Sequence, residues 1–146
     1  MTETLFELAF LLAAPVWLLM VLAPGQPLTD RIAASPLTAV PVLLVHLALA
    51  APVAPELWAA VRQPDLEAFR ALTALPDGAG AVWAQVIAWD LLIGQWMYRE
   101  CRRLGVRPLV SSPLLVLTVL LSPAALLLFL PLRAALAARR DAVPAR

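Results

Sequence analysis

This sequence has little of what most binding and catalytic chemistry requires. One residue of its 146 is cysteine, Cys101, and one is histidine, His46. A lone cysteine excludes an intrachain disulfide. Together the two fall short of the ligand sets that hold zinc, so no metal site is expected. There is no glycine-rich phosphate loop and no serine-nucleophile motif, and no cofactor is expected. Charge is scarce as well. Charged residues make up 14% of the chain, against about 25% in a soluble domain. The net charge is +1 and all eleven basic residues are arginine, a balance that gives no reason to expect nucleic acid as a partner.

What is present is apolar. The chain is 62% hydrophobic, with a mean hydropathy of +0.85, well above the 45–50% or so of soluble domains. The lipid bilayer is therefore the expected partner. The length suits about four spans of roughly 20 residues each. The expected fold is all-α and membrane-embedded: four transmembrane helices in a bundle, over residues 5–23, 36–54, 81–100 and 113–132, with a short amphipathic helix in the central loop. The whole chain, 1–146, reads as one transmembrane domain, and a homo-oligomer is compatible with it.

Glu3 and Glu7 precede or open the first span and no basic residue does, unlike the positive start of a signal peptide, so the span is expected to be retained. Pro15 should kink it. Pro24-Gly-Gln-Pro27 reads as a turn, followed by a polar loop, Leu28–Ala34, with Asp30 and Arg31. Ser35-Pro36 and Ser112-Pro113 both read as a cap followed by proline in the first helical turn. In the central loop, Pro64-Asp65 opens a helix whose Leu66, Phe69, Leu72 and Thr73 share one face, and Asp77-Gly-Ala-Gly80 closes that loop. Residues 134–146 read as a polar, flexible tail. Four crossings place six arginines on the side of the termini and five on the other, which gives no orientation by the positive-inside rule.

The chemistry concentrates in Trp83–Glu100. This stretch holds three of the five tryptophans, the only tyrosine and Asp90. A carboxyl group at mid-membrane costs about 2.5–3.5 kcal/mol on insertion scales and more on an isolated helix, so it normally faces a partner or a cavity. Near the midpoints of the other spans lie His46, Thr118 and Ser122, any of which could bond to Asp90 if the helices are neighbours. A carboxyl beside an imidazole can exchange protons with a substrate, which makes Asp90 and His46 the catalytic candidates. The bland alternative is a hydrogen bond that joins two helices. Gly94 lies one turn after Asp90 on the same face and would admit another helix or a flat ligand. Trp89 is deep enough to touch an apolar ligand. Trp96 and Tyr98 sit where aromatic belts are ordinary. Gln85 lies on a different face.

Trp83-Ala-Gln85, then Ala88-Trp-Asp90-Leu-Leu-Ile-Gly94-Gln-Trp96-Met-Tyr98, resembles the signature of the ABA-deficient-type, neoxanthin-synthase-like membrane family. Pro15-Val-Trp17-Leu-Leu, Asp65-Leu-Glu-Ala and the run from Pro113 through Thr118 to Pro123 resemble its opening span, loop helix and last span, so the resemblance covers nearly the whole chain. It implies a four-span membrane protein. Plant members of the family act in the conversion of violaxanthin to neoxanthin. That reaction opens an epoxide and removes a proton, so it needs an acid and a base and no redox cofactor. The matching positions are Trp83, Asp90, Gly94, Trp96, Tyr98, Thr118 and Pro123. Gln85 stands where the family pattern has histidine, Trp89 where it has phenylalanine, and Ser122-Pro-Ala-Ala125 where it has Gly-Pro-x-Gly. The reading that follows is a membrane protein binding a carotenoid-like apolar molecule, with epoxide-isomerase-like activity if it is an enzyme. Trp89, Gly94, Trp96, Tyr98, Thr118 and Gln85 would then contact the ligand. Two alternatives stay open: a non-catalytic subunit that associates through the third span, and a small proton-coupled carrier using Asp90 and His46. The lack of a transit segment points to a bacterial inner membrane.

Overall fold

The computed structural model describes residues 1–141 and is helical throughout its regular elements. Helix α1 spans Thr2–Leu22 and continues through Pro15. Glu3 lies in its first turn, where the unpaired N–H groups favour negative charge. Gly25, at φ 92°, makes the turn that follows, a backbone conformation that side chains disfavour.

The stretch expected to be a polar loop is helical. α2 spans Pro27–Ala34 with Pro27 at its start and Thr29 and Ala33 buried. Thr29 Oγ1 donates to the Ala23 carbonyl at 2.9 Å, so this hydroxyl closes the end of α1 rather than facing water. The second span is likewise longer than 36–54. A 3-10 turn, Pro36–Ala39, leads into α3, Val40–Ala50. A second 3-10 turn, Ala51–Val53, passes into α4, Ala54–Arg62. Pro52 and Pro55 interrupt the hydrogen-bond ladder without ending the helical path. α5, Leu66–Ala74, is capped by Asp65, whose Oδ1 accepts from the Ala68 N–H at 2.7 Å. Only Leu72 of its predicted face is buried.

α6 runs from Pro76 to Leu104. Asp77-Gly-Ala-Gly80 is therefore its first turn and not the end of the loop, and the helix overruns 81–100 at both ends. α7 spans Pro108–Asp141, and within it Leu121 is non-helical, at φ −149° and ψ 66°. The polar tail expected to be flexible from residue 134 is helical through Asp141; residues 142–146 lie outside the described residues. By length and apolarity three stretches are able to cross a membrane: Thr2–Leu22, Pro36–Arg62 and Pro108–Arg140. α6 is long enough, but Gln85, Asp90 and Gln95 dilute it. The chain is an integral membrane protein, with three such stretches among the described residues.

By its contacts the chain divides into two compact units. The first comprises Met1–Ala14 and Leu37–Trp89, the second Pro15–Pro36 and Asp90–Arg146. In the first, Thr2 Oγ1 donates to Asp77 at 2.6 Å, and the Phe6 ring stacks on Trp83 with centroids 5.1 Å apart. These ascending pairs make α1 and α6 parallel there. Leu49 packs on Gly80, and Ala9, Ala13, Ala81, Ala84 and Ala88 are buried. Small residues of this kind let helices approach closely in lipid.

In the second unit the direction of α7 follows from its contacts. Gly105, at φ 70°, starts the short link from α6, and Thr118 returns to Met97, so residues 108–120 run antiparallel to α6. Beyond Leu121 the pairs ascend: Ser122 with Asp90, Phe129 with Trp96, Arg133 with Glu100 and Arg140 with Arg103. Residues 122–141 therefore run parallel to α6. A straight α7 would carry Arg133 roughly 37 Å from Pro108 at 1.5 Å per residue, out of reach of Glu100. α7 is a helical hairpin folded at Leu121. Pro123, which has no N–H and whose ring collides with the preceding turn, explains why the ladder breaks at this point.

Candidate functional site

Asp90 sits at the closed end of this hairpin. Its carboxyl is half-buried and lies close to the side chain of Ser122, which is itself buried. Ser122 begins the second limb of α7, so its first-turn N–H groups have no partner within that limb. The positive end of a helix dipole there favours a carboxylate. The break in α7 thus brings both a hydroxyl and a helix start close to the Asp90 carboxyl.

One turn along α6, Gly94 meets the edge of the Trp17 ring so closely that an added Cβ would overlap it. The space opened by the missing side chain is filled by an indole from α1. The next turn is polar and fully engaged. Gln95, 2% exposed, donates from Nε2 to the Ser35 and Ile32 carbonyls at 3.4 and 3.5 Å, closing the C-terminal end of α2. Tyr98, 1% exposed, donates to Asp30 at 2.6 Å and accepts from the Gly25 N–H at 3.3 Å. Arg102 adds an ion pair to Asp30 at 3.3 Å. The hydrogen bond from Tyr98, with Arg102 behind it, holds the Asp30 carboxyl below its ordinary range.

On the opposite flank, Trp96 meets Phe129 edge-on at 5.3 Å, and the Arg133 guanidinium lies over the Trp96 ring at 5.7 Å. Glu100 receives Arg103 at 2.9 Å and Arg133 at 3.4 Å. Thr118, fully buried, donates to the Leu114 carbonyl at 2.9 Å and approaches Met97 Sδ at 3.6 Å.

Asp90, Gly94, Trp96, Tyr98, Thr118 and Ser122 therefore all belong to the second unit. His46, Gln85 and Trp89 belong to the first. His46 Nδ1 bonds the Ala81 carbonyl at 2.9 Å. A carbonyl can only accept, so Nδ1 carries the proton and Nε2 is the remaining acceptor. Trp89 is 56% exposed and Gln85 is half-buried. A groove of about 380 Å³ in the first unit is lined by Phe6, Glu7, Phe10, Leu11 and Trp83. Among the described residues no group of three or more His, Cys, Asp or Glu could hold a metal.

Two features escaped the sequence reading. The Asp30–Tyr98–Arg102 cluster pairs residues about 70 positions apart, which local periodicity cannot connect. The second is the contact of Trp17 with Gly94, which no spacing rule ties together.

No curated protein and no solved structure gives a significant match to this chain. A family model does: the model described as ABA DEFICIENT 4-like matches residues 4–129. That match covers most of the sequence and both units, and the chain belongs to the ABA4-like family.

Proposed function

We propose that this membrane protein binds an apolar, carotenoid-like molecule and isomerises it, with Asp90 exchanging the proton, in a bacterial inner membrane. The observation that carries the reading is Asp90 itself, a half-buried carboxyl beside Ser122 at the fold of the α7 hairpin in a chain of the ABA4-like family. A carboxyl so held can accept a proton from a substrate carbon or deliver one to an opening epoxide oxygen. Trp89, exposed and next to Asp90 in the chain, offers an indole face to a polyene. Gln85 lies one turn before Trp89 and would add an amide contact. Trp96, Tyr98 and Thr118 would support the ligand indirectly, since their polar atoms or rings are engaged within the second unit. A ligand could reach Gly94 only if the Trp17 ring moved. His46 is the second proton-exchanging group, through Nε2.

The test is the protein purified from its native membrane. Co-purified pigment with the visible bands of a polyene is expected, together with conversion of an added epoxy-xanthophyll. Asp90→Asn preserves the size and an acceptor oxygen of the side chain but cannot exchange a proton, so it should retain pigment and abolish conversion. If Asp90→Asn converts substrate at the unmodified rate, the proton-exchange role is wrong. If no polyene binds at all, the ligand class is wrong.

A further inference from the structure

The hairpin in α7 redistributes the arginines. In a four-crossing chain the C-terminal arginines Arg133, Arg139 and Arg140 leave the membrane on the side opposite the end of α6. In the second unit they do not. Arg133 pairs with Glu100 at 3.4 Å and Arg140 reaches the Arg103 carbonyl, so both limbs of α7 open at the end where α6 finishes. Arg102 bonds Asp30 there, which brings α2 and Arg31 to the same end. Arg31, Arg99, Arg102, Arg103, Arg107, Arg133, Arg139 and Arg140 thus share one end of this unit. The only other described arginines, Arg62 and Arg70, lie in α4 and α5.

We propose that α7 enters and leaves the membrane on one face, and that the arginine-rich end it completes is a docking surface for anionic phospholipid headgroups on the cytoplasmic side. The hairpin gathers eight of the ten described arginines at one end of the second unit, where a four-crossing reading divides the eleven of the whole sequence six against five. Arginine-rich ends of this kind stay on the cytoplasmic side, where the leaflet is anionic and attracts juxtamembrane basic groups. The internal acids cannot neutralise the cluster. Asp30 is taken by Arg102 and Tyr98, and Glu100 by Arg103 and Arg133. Arg31, Arg99, Arg107 and Arg139 are exposed, and no ion pair within the protein engages them among the described residues. These four exposed guanidinium groups have no internal partner among the ion pairs of the described residues, and lipid phosphates are acceptors that arginine binds in bidentate fashion. The non-helical backbone at Leu121 is consistent with a re-entrant element, which membranes admit where protein neighbours satisfy the freed groups.

Two single-cysteine variants on a Cys101→Ala background test the topology in the full-length chain: Glu67→Cys in α5 and Ala138→Cys in α7. Both positions are exposed. A membrane-impermeant maleimide added to spheroplasts should label Glu67→Cys and spare Ala138→Cys. In inverted vesicles the pattern should reverse, with detergent-solubilised samples labelling fully in both cases. Labelling of both from the same face would mean that α7 crosses, and would overturn the hairpin as a membrane element. Opposite faces with Ala138→Cys outward would overturn the cytoplasmic assignment. For the lipid, native mass spectrometry of the purified protein mixed with phosphatidylglycerol and phosphatidylcholine should show preferential retention of phosphatidylglycerol. The quadruple variant Arg31→Gln, Arg99→Gln, Arg107→Gln, Arg139→Gln should lose that preference. Equal retention of the two lipids by the unmodified protein, or an unchanged preference in the quadruple variant, would refute the headgroup surface.

Discussion

The two units of this chain solve the same problem with different materials. The first carries six acidic residues and two arginines, a net charge of −4; the second carries nine arginines and four acids, a net charge of +5, and together they return the +1 of the whole sequence. Their interiors differ in the same way. The first unit buries a series of alanines and uses isolated polar bonds, Thr2 to Asp77 and His46 to Ala81. The second buries Tyr98, Phe129, Met97 and Met20 and joins its elements with clusters in which one carboxylate serves two partners. Lipid is as apolar as leucine, so helices in a membrane gain little from hiding apolar surface against one another. Close packing of small side chains and shared polar bonds are the two remaining sources of specificity. Here each unit relies mainly on one of them.

The comparison breaks most visibly at glycine. Gly94→Leu would drive a branched side chain into the Trp17 ring, and a loss of about 3 kcal/mol is expected, read as a lower unfolding midpoint in detergent by tryptophan fluorescence. Adding Trp17→Ala should recover part of that loss, because the two residues are coupled by direct contact. Gly80→Ala in the first unit is the counterpart. Its methyl would meet the flexible end of Leu49 at 3.2 Å, and the gain of about 1 kcal/mol in helix propensity should offset the adjustment, leaving stability nearly unchanged. If Gly80→Ala were as damaging as Gly94→Leu, the contrast between the two units would fail.

The next effect concerns the polar cluster. Asp30→Asn weakens the bonds from Tyr98 and Arg102 together, and about 1 kcal/mol is expected, since the Asp30 side chain is 42% exposed. The sign of the pH dependence follows from the depressed pKa. The folded Asp30 titrates below its ordinary value of 3.8, so its contribution is complete above that value and falls away as pH drops through the lower folded value. The unmodified protein should therefore lose stability on acidification below about pH 4 by an increment that Asp30→Asn lacks. An identical acid profile for both proteins would remove the cluster from the account of the second unit.

The class of the protein and the existence of its long helices were legible in the sequence, because apolar runs and proline-bounded starts are local signals. Asp90 stands out in the sequence for the same reason, as a carboxyl inside an apolar run. The path of α7 was not. An apolar run of this length looks the same whether it crosses or folds back, and the deciding contacts, Phe129 with Trp96 and Arg133 with Glu100, lie more than 30 residues apart. Pro123 was visible, but Pro15 sits inside an unbroken helix, so proline alone does not tell a kink from a reversal. The α2 segment was misread for a related reason: Thr29 and Asp30 look like loop residues until Ala23, Tyr98 and Arg102 are found beside them.

The smallest effect is expected at His46, and it separates a structural bond from a chemical role. Its Nδ1 makes one bond to the Ala81 carbonyl, and such bonds in membranes average about 0.6 kcal/mol. His46→Leu should lower stability by no more than that, and His46→Gln, which keeps a donor, should restore it. A histidine that only joins α3 to α6 would leave pigment conversion unchanged in the glutamine variant. A histidine that also exchanges protons through Nε2 would lose conversion in both variants while stability recovers in one. Conversion that follows stability across the two substitutions would assign His46 to packing in the first unit. Asp90 in the second would then be the only proton-exchanging group at membrane depth among the catalytic candidates.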